Sequence, residues 1–316
     1  MLASNGAELT VNNTSVTTNG AHANAIFSYG ANTVLNVADT VINTTGNNSG
    51  GIMTTGGATT NATNLTVTTS GNSSAAIRSD RGGGTINVTE GSYSTSGVGS
   101  PAIYSTADIT VSDATLSSTN SEAVVIEGGN SVTLNNTDAT GNNATKNGQS
   151  TINTNVLIYQ SMSGDASEGS SDFTMNGGSL TSLIGTMFHV TNVSTTITLN
   201  DVALTNASDD LLIASADAWG TSGKNGGNVT MNMIKQNASG NITVDSISSL
   251  ALNITEASAY SGAINSGNDS GQIAVTLDDN STWTLTGDSY ITSFTGDYSN
   301  INTNGYHLYV GGTQVL

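Results

Sequence analysis

The chain has no cysteine, so neither a disulfide framework nor a zinc or iron–sulfur site held by thiolates is open to it. Proline occurs once, at Pro101. A chain built of strands and tight turns avoids a residue that cannot donate to a ladder. Cations are scarce: 5 Lys and Arg stand against 23 Asp and Glu, a formal net charge of −18. That balance argues strongly against nucleic acid as a partner, because cationic side chains must replace the counterions on phosphate. It also opposes an anionic membrane surface, while keeping the chain soluble. No apolar run approaches the ~20 residues that span a bilayer, so no membrane insertion by this segment is expected. The opening Met1-Leu2-Ala3-Ser4-Asn5-Gly6 has neither the basic nor the apolar part of a signal peptide. It runs straight into a repeat at Leu9, and the expectation is an excised part of a longer exported protein with Met1 added.

Only 35% of the residues are hydrophobic and 9% charged, with 37 glycines and much Ser, Thr and Asn. Such a composition would suit a disordered tract, but the apolar residues keep step. One series runs Val16, Ile42, Val67, Tyr93, Leu116, at intervals of 26, 25, 26 and 23 residues. A second, Ile26, Ile52, Ile77, Ile103 and Ile126, advances by the same steps, always ten residues after the first. Pairs such as Leu9/Val11, Leu35/Val37, Thr60/Ala62, Ile86/Val88 and Ile109/Val111 precede the first series by five residues. A unit this short cannot bury an apolar face alone, so neighbours must stack and share a core.

Each unit reads as three short strands with Gly, Asn and Ser at the breaks, as in Gly84–Val88, Gly91–Thr95 and Ala102–Tyr104. No segment carries an amphipathic helical period. Parallel strands without crossover helices leave one architecture: an all-β, right-handed, single-stranded parallel β-helix. At ~24 residues per coil, about 12 coils and a rod roughly 60 Å long are expected. The whole of 1–316 is read as one domain, with an irregular insertion around 142–172 and a longer loop around 214–228. Two residues after the first series lies a column of Thr18, Thr44, Thr69, Thr95 and Ser118, whose stacked hydroxyls are expected to bond along the column.

The closing stretch Val275-Thr276-Leu277-Asp278-Asp279-Asn280-Ser281-Thr282-Trp283-Thr284-Leu285-Thr286-Gly287-Asp288-Ser289 resembles the end of pertactin-like autotransporter passengers and related bacterial adhesin-like proteins. The resemblance implies a right-handed parallel β-helix, export to the bacterial cell surface, and adhesion or a scaffold role rather than catalysis. The rest of the chain is similar to that family in composition and repeat.

Catalytic sets are hard to assemble. Arg78 and Arg81 flank Asp80, a base near an acid, but as neighbours at one corner they read first as a surface pair. The other cations are Lys146, Lys224 and Lys235. Asp209-Asp210 and Asp278-Asp279 are adjacent pairs, and adjacent strand residues point to opposite faces, so neither pair converges as a glycosidase requires. His22, His189 and His307 are isolated. No cofactor is called for. Calcium, which takes carboxylate and carbonyl oxygens, is the best metal candidate, at Asp201, Asp209 and Asp210 or at the corner holding Asp165, Glu168 and Asp172. The expected function is a noncatalytic, extracellular adhesin-like or scaffold β-helix engaging host or environmental glycans or surface proteins. Trp219, Tyr104 and Tyr29 are the aromatics expected to stack on sugar rings. The alternative is a polysaccharide-binding or lyase-like β-helix acting on acidic polysaccharides. A weaker one, ice binding, needs a flat outward Thr array, and outward Thr17, Asn43, Thr68, Ser94 and Ser117 are mixed.

Overall fold

The computed structural model describes residues 1–145, 149–269 and 271–316. Lys146 therefore lies outside the described residues, as does part of the 142–172 stretch. The fold is all-β, a parallel solenoid of about 11 turns. Among the described residues the one helical element is a 3-10 turn at Tyr298–Asn300, and no helix is long and apolar enough to cross a membrane. Ten strands, from Leu2–Ser4 to Asn241–Val244, form one parallel sheet. A sixteen-stranded sheet runs alongside from Glu8–Asn12 to Ser293–Thr295. A four-stranded sheet and a small terminal one complete the last coils.

Strand pairing reproduces the sequence series. Val16, Ile42, Val67, Tyr93 and Leu116 stack in register, and so do Ile26, Ile52, Ile77 and Ile103. At the fifth coil the second series departs from expectation, because Ile103 pairs with Val124 while Ile126 faces Ser105. The corner after Leu116 is therefore two residues shorter than its predecessors, and the ten-residue interval fails there. The same shift turns an inward column of hydroxyls, Ser28, Thr54, Ser79 and Ser105, into aliphatics at Ile126 and Ile158. Thr60, which replaces an aliphatic in the third coil, is fully buried and joins Ser28 (2.8 Å) and Thr54 (2.7 Å) in a hydroxyl triad. The polar substitution is tolerated because its partners sit one strand away.

The Thr column forms no hydroxyl ladder. Thr18 and Thr44 instead donate, each at 2.7 Å, to the carbonyls of Ala23 and Ser49, five residues on. Thr69 and Thr95 do the same to Ser74 and Ser100. Those carbonyls belong to a second column, Ser49, Ser74 and Ser100, which carries the corner. The amide of Ser49 donates to Ser74 Oγ, and that of Ser74 to Ser100 Oγ, both at 2.9 Å. Each serine hydroxyl then donates to a glycine carbonyl in the coil before: Gly20, Gly46 or Gly71. Glycine is required beside them, since a Cβ on Gly46, Gly71 or Gly97 would overlap the carbonyl of the glycine one coil earlier.

The irregular stretch is two excursions from one coil. Strand Thr154–Tyr159 keeps register with Val124–Glu127. The chain leaves the coil before it (142–145 and 149–153 among the described residues) and after it (160–169), so that Ser131 next pairs with Asp172, 41 residues on. This long coil uses up the length of nearly two, which is why the turns number about 11 rather than 12. Beyond it Phe173, Leu180 and Phe188 stack on Ile197, Leu204 and Leu212 as the 24-residue spacing predicts. Trp283 is fully buried near the C-terminal end. It donates from Nε1 to the Gly262 carbonyl (3.0 Å) and lies against Tyr260, ring centroids 6.2 Å apart.

Candidate functional site

The outward face of the ten-stranded sheet is the most unusual surface of the rod. Stacking sets Arg78, Tyr104, Val125, Leu157, His189 and Ile213 in one column. A parallel column holds Tyr29, Thr55 and Asp80, then Glu127, Tyr159 and Thr191 after a one-coil gap. An outward face of a solenoid is normally wet, yet Val125, Leu157 and His189 are shut off from solvent. They are covered because 149–153, 160–169 and the 214–228 loop fold down over them. Strands apolar on both faces read as near-continuous hydrophobic runs, and Val124-Val125-Ile126 and Val156-Leu157-Ile158 are such runs.

Glu127 anchors the first cover. Its buried carboxyl accepts hydrogen bonds from the hydroxyls of Tyr104 and Ser161, from Tyr159 at 3.1 Å and from Ser163 at 3.4 Å. Burial, then the proximity of the other tyrosine and of Glu127, holds the Tyr104 hydroxyl well above its usual range, so it stays protonated and donates. Trp219, from the 214–228 loop, packs on Tyr159 with centroids 4.5 Å apart and joins Val125, Leu157 and Tyr104 in a satellite apolar cluster. Asn225 ties that loop by donating to the carbonyls of Asp217 and Trp219, both at 2.8 Å.

Beside this cluster opens a cleft of about 200 Å³, lined by Arg78, Asp80, Pro101, Tyr104, Tyr159 and Asp165 among others. Arg78 Nη2 meets Asp80 at 3.1 Å and Nη1 donates to the Ser73 carbonyl at 3.2 Å, while Nε is buried without a partner. The side chain of Arg81 turns to Asp165, 84 residues away, at 2.6 Å. That hydrogen bond and the nearby charges of Asp165 and Asp80 push the Arg81 guanidinium above its ordinary value. The expectation of a purely local Arg–Asp pair therefore holds for Arg78 but not for Arg81.

Of the expected ligand aromatics, Tyr104 and Trp219 come together through Tyr159, with Tyr104 on the cleft wall and one face of Trp219 spent on Tyr159. Tyr29 stands two turns from Asp80 in the same column, 53% exposed and edge-on to Phe27 at 6.3 Å. The expected calcium ligands do not assemble as a carboxylate cluster. Asp201 occupies a left-handed turn after Val193–Asn200. Asp209 lines a separate open cavity, and Asp210 begins the strand Asp210–Ala214. Burial, then the charge of Asp209, raises the Asp210 carboxyl. Asp165 is paired with Arg81, Glu168 lines another cavity and Asp172 lies on the sixteen-stranded sheet. Among the described residues no three His, Cys, Asp or Glu side chains group to hold a metal ion.

Glu127, Tyr159, His189 and Asp217 are the buried members that spacing did not single out. For Glu127 and His189 the signal is a carboxyl or imidazole within an otherwise apolar strand, Val124–Glu127 and Thr186–Thr191. No family model matches the chain, and comparison with curated proteins and with solved structures gave no match.

Proposed function

We propose that this chain is a noncatalytic surface solenoid of the adhesin or scaffold kind, like the pertactin-like passengers that its Trp283 phrase resembles. In this reading it is exported to the cell surface, and its lateral cleft receives the terminal residue of a host or environmental glycan. The observation that carries the proposal is the buried, unpartnered Nε–H of Arg78 in a cleft walled by Tyr104 and two carboxylates. A guanidinium donor, an aromatic ring and carboxylate acceptors are the set that recognises a ring bearing hydroxyls on its edges and C–H groups on its face. The volume suits one ring better than a long ligand, which needs several hundred Å³.

A lyase acting on acidic polysaccharide is the second reading, because Arg78, Asp80 and Asp165 share the cleft. Against it, both aspartates are already held in arginine pairs and Glu127 is occupied by hydroxyl donors. Glycan-array binding by the wild type and Arg78→Gln separates these readings. Binding that falls at least about tenfold in a variant with an unchanged circular dichroism spectrum is expected. Equal binding by both proteins would overturn the cleft. Release of unsaturated products from pectins, followed by absorbance, would establish the lyase in its place.

A further inference from the structure

Three further cavities along the rod share walls. One of about 580 Å³ beneath the 160–169 and 214–228 loops has Ser194 and Asn228 in common with one of about 460 Å³ on the outer face of the sixteen-stranded sheet. The second shares Gln272 and Thr292 with a third, of about 200 Å³, that ends against Tyr290 and Tyr309. They make a single trough running along the solenoid axis. Register explains its form. Ser194, Asn228, Ser249 and Gln272 stack as one rim. Beside them Thr230, Ala251, Ala274 and Ser293 stack as a floor of small side chains. At ~4.8 Å per coil the trough spans roughly 25–30 Å.

We infer that this trough binds an extended, uncharged polysaccharide segment. Between Ser194 and Thr292 its lining is hydroxyl, amide and methyl, with no charged side chain, in a chain whose net charge is −18. An acidic polymer would meet a repulsive field and no cation along that run, and a nucleic acid would find only Lys224, at one end. Donors and acceptors repeating once per coil suit a polymer whose own hydroxyls repeat along an extended chain. At the far end Tyr290 and Tyr309 lie parallel, ring centroids 4.6 Å apart at 8°, a partly exposed aromatic platform for a sugar face. At the near end Gln160 lines the first cavity, its Oε1 buried without a partner. The trough lies on a different sheet from the Arg78 cleft and shares no lining residue with it, so it does not rest on the terminal-sugar reading.

Affinity electrophoresis through gels containing hydroxyethylcellulose, xyloglucan or galactomannan, with alginate and polygalacturonate as acidic counterparts, tests this. At least one neutral polymer retards the wild type and the acidic ones do not. Tyr309→Ala weakens that retardation about tenfold, and Ala274→Trp, which fills the trough from an exposed position, abolishes it. Arg78→Gln leaves it unchanged. Melting midpoints within error of the wild type confirm that both trough variants fold. The inference is overturned if no neutral polymer retards the wild type, if an acidic polymer does so instead, if neither trough variant alters the retardation, or if Arg78→Gln removes it.

Discussion

His189 Nδ1 lies 3.9 Å from Asp217 Oδ2, both side chains fully withdrawn from solvent. Asp217 takes hydrogen bonds from Ser150 Oγ (2.8 Å) and from the Thr151 amide and hydroxyl (3.1 and 2.9 Å). Neither imidazole nitrogen has a partner at hydrogen-bond distance. Burial lowers the His189 pKa from 6.5 to about 4, against the pull of Asp217. On acidification the unfolded chain takes up this proton near pH 6.5, and the folded one only near pH 4. The group's contribution is therefore intact above pH 6.5 and declines as the pH falls towards 4. Urea melts across that window are expected to show a flatter pH slope for His189→Leu. Equal slopes would remove His189 from the account.

The corner column gives a graded expectation. Gly71→Ala drives a methyl into the Gly46 carbonyl and is expected to cost roughly 3 kcal/mol or more. Ser74→Ala leaves the Ser49 amide and the Gly46 carbonyl without their partner, a loss of about 1–3 kcal/mol. Thermal melts that reversed this order would contradict the backbone-overlap argument.

Glu127→Leu strands the hydroxyls of Tyr104, Tyr159, Ser161 and Ser163. A destabilisation of about 2–4 kcal/mol is expected, with faster proteolysis within 160–169. Glu127→Gln retains an acceptor and loses less. Unchanged cleavage in the leucine variant would mean that something else holds this excursion down.

Trp283→Ala empties the largest buried side chain near the C-terminal end, at a cost of about 3–5 kcal/mol. Hydrogen exchange is expected to quicken in Ala259–Ser261 and Ile301–Asn302, which pair with its strand, before the N-terminal coils respond. Uniform loosening along the whole rod would argue against nearest-neighbour coupling.

The columns of the core were legible because stacking maps sequence period directly onto space. Val16 to Leu116 and Phe173 to Leu212 needed nothing more. Ile126 misled because an aliphatic two residues out of place still fits an inward position, where Ser105 had stood before. On the outer face of the sixteen-stranded sheet a second column, beside Thr17 to Ser117, reads only Thr or Asn from Thr10 and Asn36 through Asn232 and Asn253 to Thr276 and Thr295. Its amides bond along the rod, Asn61 to Asn36 and Asn253 to Asn232 at 2.9 Å, and so add structure without any apolar signal. The cleft was legible only as scattered residues. Tyr104, Arg78, Asp80 and Asp165 each stand out in the sequence, but Asp165 is brought to this corner through Arg81, 84 positions away, and no period foretells that.

That Arg81–Asp165 link has a mechanical side. Solenoids whose coils touch only their neighbours peel from an end, one coil at a time, when pulled. Here a clasp spans the coils between strands Ile77–Asp80 and Thr154–Tyr159. Under tension this exposed pair is one added contact that parts before the turns it spans can peel from one another.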